Sequence, residues 1–123
     1  MRFLSVEDVH FLHKLSIEEF GGTLGLCDPA SLESAVFHPQ NVAIYGGGDI
    51  FDVAAAYAFH IAEGQCFLDG NKRTAIAAAL NFLANNNTSV RVDDMRVYDL
   101  MMGIAEKRYT KPDLAAYFRS CSQ

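Results

Sequence analysis

Two uniformly apolar segments separated by one short polar stretch restrict this chain more than any other feature. Val53 to Ala62 (VAAAYAFHIA) runs into Gln65 to Arg73 (QCFLDGNKR), and Thr74 to Ala84 (TAIAAALNFLA) leaves it. Each segment is long enough for a helix and too apolar on every side for a surface helix. The pattern predicts two largely buried helices meeting at one polar loop.

That loop has the chemistry of an anion site. Asp69-Gly70-Asn71 is turn sequence, and Gly70 accepts a backbone conformation that aims N–H groups outward. A helix starting there presents unpaired N–H donors and a positive dipole end, where phosphate binds readily. Lys72 and Arg73 add two cations, and an arginine can grip two phosphate oxygens at once. Spacing alone leaves a second reading open, an ordinary helix connection carrying two solvated bases.

Length and charge narrow the class. The 123 residues suit one domain with a single core, spanning 1–123, and the apolar half of the composition argues against disorder. Fifteen acids against ten bases give a net charge of −5, which disfavours direct nucleic-acid binding by phosphate neutralisation. Cys27, Cys66 and Cys121 are odd in number and form no C-x-x-C pair, so they read as reduced thiols of a cytoplasmic protein. No apolar run reaches membrane-spanning length and no signal segment opens the chain.

Along the chain, Ser5 with Asp8 predicts a capped helix through about Glu19, with Val6, Val9, Leu12 and Leu15 on its apolar side. His10 and His13 read as surface or core-edge residues. Gly21-Gly22 ends this helix, and Thr23 to Cys27 is a loop. Asp28 and Pro29 then start a second helix expected to stop near Phe37. Pro39 and Gly46-Gly47-Gly48 predict an irregular stretch over 38–50, a short flap, hairpin or flexible linker anchored by Tyr45. The first central helix is expected from about Asp52, and Asn85-Asn86-Asn87 stops the second. Val90 and Val92 suggest a short extended piece. Asp93-Asp94 opens a helix through about Lys107 with bases in its last turn, and Thr110 with Asp113 caps a final one. His60 reads as a hydrogen-bonded core histidine, and Met101-Met102 as core packing.

Six positions of the polar loop, Phe67, Asp69, Gly70, Asn71, Lys72 and Arg73, match the signature H-x-F-x-D/N-A/G-N-K/G-R. The chain resembles the Fic/Doc family in this stretch, and also at Phe3 to Val9, Phe20-Gly21-Gly22, Leu32 to Ala35, Pro39-Gln40 and Tyr57 to Leu83. The resemblance implies an all-α fold of about six helices around the central pair. It also implies that residues 38–50 border the active site and hold a target segment.

Members of the family move part of a nucleotide onto a protein hydroxyl. Most Fic enzymes carry a second glycine before the motif arginine and transfer AMP. Doc-type toxins carry lysine there, as Lys72 stands here, and the archetype transfers the γ-phosphate of ATP to elongation factor Tu. The second arginine usual in Fic enzymes is replaced by Ile76. Resemblance therefore favours an ATP-dependent phosphotransferase acting on a translation factor, with AMP transfer as the alternative. It assigns Gly70, Asn71, Lys72 and Arg73 to the nucleotide and gives Phe67 a structural role. Asp69 would orient the target hydroxyl or help hold Mg2+. The bland alternative for Asp69 is a helix cap.

Gln65 is the departure, because the family places its catalytic histidine there. Glutamine hydrogen-bonds but takes up no proton near neutral pH, and losing a base costs a factor of roughly 10² to 10⁴. Three readings follow: a variant with weak or altered activity, a catalytically dead nucleotide- or partner-binding protein, or an engineered inactive form. Cys66 lacks an activating neighbour in sequence. No Ser or Thr is followed four residues later by Glu, so the inhibitory helix motif of many Fic proteins is absent. Resemblance then places restraint in trans, in an antitoxin segment lying over the groove.

Overall fold

A computed structural model describes residues 1–123. Six helices account for the regular structure: α1 (Val6–Phe20), α2 (Pro29–Ile44), α3 (Ile50–Gly64), α4 (Asn71–Asn85), α5 (Asp94–Ala105) and α6 (Lys111–Ser120). There is no sheet, only two isolated bridges, Leu26 with Phe67 and Val90 with Ser122. The fold is all-α.

The central pair is α3 against α4. Val53, Ala54, Ala55, Ala56, Tyr57, Ala58 and Ile61 of α3 are buried, as are Thr74, Ala75, Ala78, Ala79, Phe82 and Leu83 of α4. Alanines at the seam let the two backbones approach, and larger side chains fill the flanks. Tyr57 and Phe82 meet with ring centroids 5.2 Å apart. The Tyr57 hydroxyl accepts from the Leu4 amide at 2.9 Å, which ties the N-terminal segment to α3. Burial pushes that hydroxyl's pKa up to about 12.

Side chains close five of the six helix starts. Ser5, Asp49 and Thr110 form reciprocal capping boxes with Asp8, Asp52 and Asp113, and Asp28 and Asp93 accept from first-turn amides. The sixth start, at Gly70, has no side-chain cap.

Four expectations are corrected. α2 does not stop near Phe37 but continues through Pro39 to Ile44, so no flap or hairpin occupies 38–44. Leu32, Ala35, Val36 and Pro39 form one buried stripe at i, i+3, i+4, i+7, and its packing outweighs the roughly 3 kcal/mol that an interior proline costs. Tyr45 anchors nothing: it is the C-cap of α2 and 83% exposed. The buried face of α1 is Val9, His13, Ser16 and Ile17, while Leu15 is 43% exposed. Finally, α5 ends at Ala105 with no base in its last turn. Lys107 takes a left-handed φ of 64°, and the Tyr109 ring fills the space where a Cβ on Gly103 would stand.

Candidate functional site

The polar loop lies between the C-terminus of α3 and the start of α4, and its own backbone contacts shape it. Gln65 ends α3 in the left-handed region, φ 43° and ψ 50°, a conformation that reverses the chain. Both polar atoms of the Asn71 side chain then clamp the loop: Oδ1 accepts from the Phe67 amide at 3.0 Å, and Nδ2 donates to the Phe67 carbonyl at 2.9 Å. Asn71 thus closes the loop with its side chain, and its backbone N–H has no protein acceptor.

Behind the loop stands a residue whose role the sequence did not disclose. His13 is buried, its ring stacks on Phe67 at 3.8 Å and 6°, and its Nε2 donates to the Asp69 carbonyl at 2.8 Å. Because a carbonyl only accepts, that contact puts a proton on Nε2. Phe67 is itself buried and receives the edge of His10 at 5.7 Å. Position 13 follows Val9 by one helical turn, the only sequence signal available, and the apolar Leu12 and Leu15 beside it masked it.

The segment that covers the loop is 21–27, not 38–50. The Cys27 amide donates to the Cys66 carbonyl at 2.9 Å, and the Leu68 amide to the Gly25 carbonyl at 3.0 Å. The Thr23 amide donates to Asp69 Oδ2 at 3.3 Å. Gly22, at φ 122°, lies so close that an added Cβ would stand 2.6 Å from Asp69 Oδ2. Leu26 and Phe67 pair as a single antiparallel bridge, so this strap runs along the loop as an edge strand would.

A cleft of about 330 Å3 opens where the loop meets the end of α5, lined by Glu63, Gln65, Asp69, Gly70, Asn71 and Lys72 over a floor that includes Met101. Gln65 and Asp69 are exposed, while Lys72 is half-buried. Asp69 Oδ1 accepts from the Gly70 amide at 2.9 Å, so this carboxylate braces the turn and the strap, and it does not cap α4. Gly70 is the N-cap at φ 76°, which leaves the first-turn amides of α4 without a side-chain acceptor.

Arg73 is not among the residues lining this cleft. Successive helix residues diverge by about 100°, and Arg73 faces a groove of about 670 Å3 shared with Leu12, Leu15, Phe20, Ile76 and Tyr98. Its guanidinium rests 5.0 Å over the Phe20 ring. Lys72 and Arg73 therefore approach the start of α4 from two sides. The sequence reading also missed Glu63. At two residues before Gln65 it would project to a different side of a continuing helix, and the left-handed turn at Gln65 brings both to one cleft.

No group of three His, Cys, Asp or Glu side chains gathers anywhere in the molecule. Glu63 and Asp69 fit the manner in which Mg2+ binds, through one or two carboxylates plus phosphate oxygens and water. Cys66 is unsuited to nucleophilic work, since burial pushes its thiol pKa up. All three cysteines are free, and no helix is long and apolar enough to cross a membrane.

Comparison with known proteins identifies the family. The chain is 39% identical over 106 residues to "Protein kinase doc" of Escherichia phage P1, covering 85% of this chain and 83% of that protein. It is 38% identical over 102 residues to "Toxin Doc" of Mycolicibacterium smegmatis, covering 79% and 78%. The model of the Fic/DOC family matches residues 3–83, a span holding α1 to α3, the strap, the whole polar loop and all but the last two residues of α4. The chain belongs to the Fic/DOC family.

Proposed function

We propose that this protein is the toxin of a toxin–antitoxin pair and a phosphotransferase, moving the γ-phosphate of ATP to a hydroxyl of a protein target. One observation carries the reading: the single uncapped helix start of the molecule opens onto the cleft that holds Gln65, Asp69 and Lys72. Backbone donors there meet phosphate without displacing a protein group. Lys72 is the Doc-type residue, and the curated name of the phage relative is that of a protein kinase.

The chemistry follows from charge. The target oxygen bonds to the γ-phosphorus while the bond from that phosphorus to the β,γ-bridging oxygen breaks, and ADP leaves with the electron pair. Lys72, the first-turn amides of α4 and Arg73, once lifted from Phe20, offset charge on the phosphate oxygens. The hydroxyl proton leaves toward Asp69 or Glu63, the two cleft carboxylates, because Gln65 takes none. Such transition states are loose and depend little on prior deprotonation, so the missing histidine lowers the rate without abolishing transfer. A translation factor such as elongation factor Tu is the target that the family resemblance favours.

Restraint comes from an antitoxin segment. The groove beside Arg73 supports this, with Phe20 61% and Tyr98 48% exposed along its walls. A helix seated there with its apolar face inward would cover the Arg73–Phe20 stack.

Incubation with γ-labelled ATP, Mg2+ and cell extract tests the reaction, for the parent chain and for Gln65→His. Histidine tolerates the left-handed conformation of position 65, so the substitution keeps the turn. Label on one protein band, stronger with Gln65→His, is expected. No label from either form overturns the phosphotransferase, and label from α-labelled ATP alone reassigns it to AMP transfer. Gln65 itself favours a second reading, a nucleotide-binding protein without catalysis. ATP binding that weakens about 10- to 100-fold in Arg73→Ala, with no turnover after Gln65→His, selects that one.

A further inference from the structure

Outside the cleft, three basic side chains from three helices meet. The His60 ring of α3 lies 4.0 Å from that of His38 on α2, tilted by 43°. Lys111, the first residue of α6, places Nζ 3.0 Å from His60 Nε2 and 5.3 Å over the Phe59 ring. That contact is the sole hydrogen bond of the His60 side chain. Every ion pair in the molecule is made by an arginine, and the nearby Asp113 carboxylate is engaged by Thr110, so no carboxylate holds the Lys111 ammonium.

The tautomer follows. The ammonium form of Lys111 only donates, so Nε2 of His60 faces it as an acceptor and the imidazole is neutral. Burial, then the charges of Lys111 and His38, push the His60 pKa down to about 4, and burial lowers that of Lys111. Lys14 and Lys107, by contrast, are exposed side chains without a hydrogen-bond partner. A half-buried amine with a proton acceptor in contact and no counter-ion is the arrangement that makes lysine nucleophilic.

We propose that Lys111 is a reactive amine that accepts an acyl group from an acyl phosphate, with His60 as its proton acceptor. The Nζ lone pair attacks the carbonyl carbon and forms the C–N bond. The tetrahedral intermediate collapses by breaking the bond from carbon to the phosphate oxygen, and orthophosphate leaves with that electron pair. The surplus proton on nitrogen passes to His60 Nε2 and then to water. An anionic donor suits the site, where a lysine and two histidines meet and no carboxylate pairs with the lysine. The amide product is neutral, so acylation removes the cation from the face of Phe59 and the donor charge from His60.

The test treats the whole folded chain with acetyl phosphate at pH 7.5 and measures initial acetylation rates at each lysine by peptide mass mapping. Lys111 is expected to react several-fold faster than Lys14 and Lys107, because burial favours its free-amine form and His60 Nε2 lies in contact to take the proton. Its rate should also level off at a lower pH than that of an ordinary lysine. His60→Gln should cut the Lys111 rate several-fold and leave Lys14 and Lys107 unchanged. A parent-chain rate at Lys111 no greater than at Lys14 and Lys107 overturns the proposal whatever the variant does. So does an unchanged ratio in a His60→Gln protein of native circular dichroism.

Discussion

The starts of α3 and α4 belong to the two most buried helices of the molecule, yet they are built in opposite ways. At the start of α3, Asp49 accepts from the Phe51 and Asp52 amides at 3.0 and 2.9 Å, and Asp52 returns a bond to the Asp49 amide at 2.9 Å. Arg119 of α6 then lies 2.9 Å from Asp49 Oδ2, with its guanidinium 5.6 Å from the Phe51 ring. Farther along, His60 fastens α3 to α6 again through Lys111. The start of α4 has none of this: a glycine stands at the cap, no carboxylate accepts from the first turn, and Lys72 and Arg73 flank it. Closed amides fix architecture, whereas open amides backed by cations are free to receive an anion.

The largest expected effect breaks the open end by loosening its loop. Asn71→Ala removes both bonds to Phe67 and strands a half-buried amide and carbonyl, so urea unfolding should show a loss of about 2–4 kcal/mol. Nucleotide affinity should fall with it, because the amides of α4 lose their common orientation.

Gly70→Ala is next. A non-glycine residue at φ 76° costs about 1–2 kcal/mol, and its Cβ would press to 3.3 Å from Ile17 Cδ1. Thermal melting should report that loss, and Gly70→Asn should recover part of it.

At the closed end, Asp49→Ala should cost about 1 kcal/mol for the lost cap. The exposed contact with Arg119 adds little. ATP affinity should stay unchanged, in contrast with Asn71→Ala, and calorimetric titration of the two variants sharpens the comparison.

The smallest effect concerns pH. The folded-state pKa of His60 is lowered to about 4 from an ordinary 6.5. Its stabilising contribution is therefore complete above pH 6.5 and is lost as pH falls toward 4, where the unfolded chain takes up the proton first. The ring is only half-buried, so water screening reduces the contribution to about 1 kcal/mol. Unfolding free energies of the parent and His60→Gln should diverge from pH 5 upward and converge near pH 4.

These contrasts show what a one-dimensional pattern carries. The central helix pair was legible because apolar runs around a turn leave little choice, and so were the caps at Ser5, Asp28 and Thr110, because capping is local. The continuation of α2 through Pro39 was not, since proline's local preference opposes it and only packing against α3 decides. His13 and the strap over 21–27 were missed for a related reason. Their partners, Asp69, Phe67 and Cys66, lie more than thirty residues away in sequence, and no periodicity records such a contact. The parting of Lys72 from Arg73 was legible in principle from the 100° step, but the motif presents them as one unit.

The central claim is that the first turn of α4 is open for phosphate and that of α3 is not. Amide NMR during ATP titration, with Mg2+ present, tests this directly and needs no turnover. The account predicts saturable shifts at Asn71, Lys72 and Arg73, lost in Asn71→Ala, while Phe51, Asp52 and Val53 stay still. Unmoved α4 amides under saturating ATP, or equal movement at both helix starts, would contradict it.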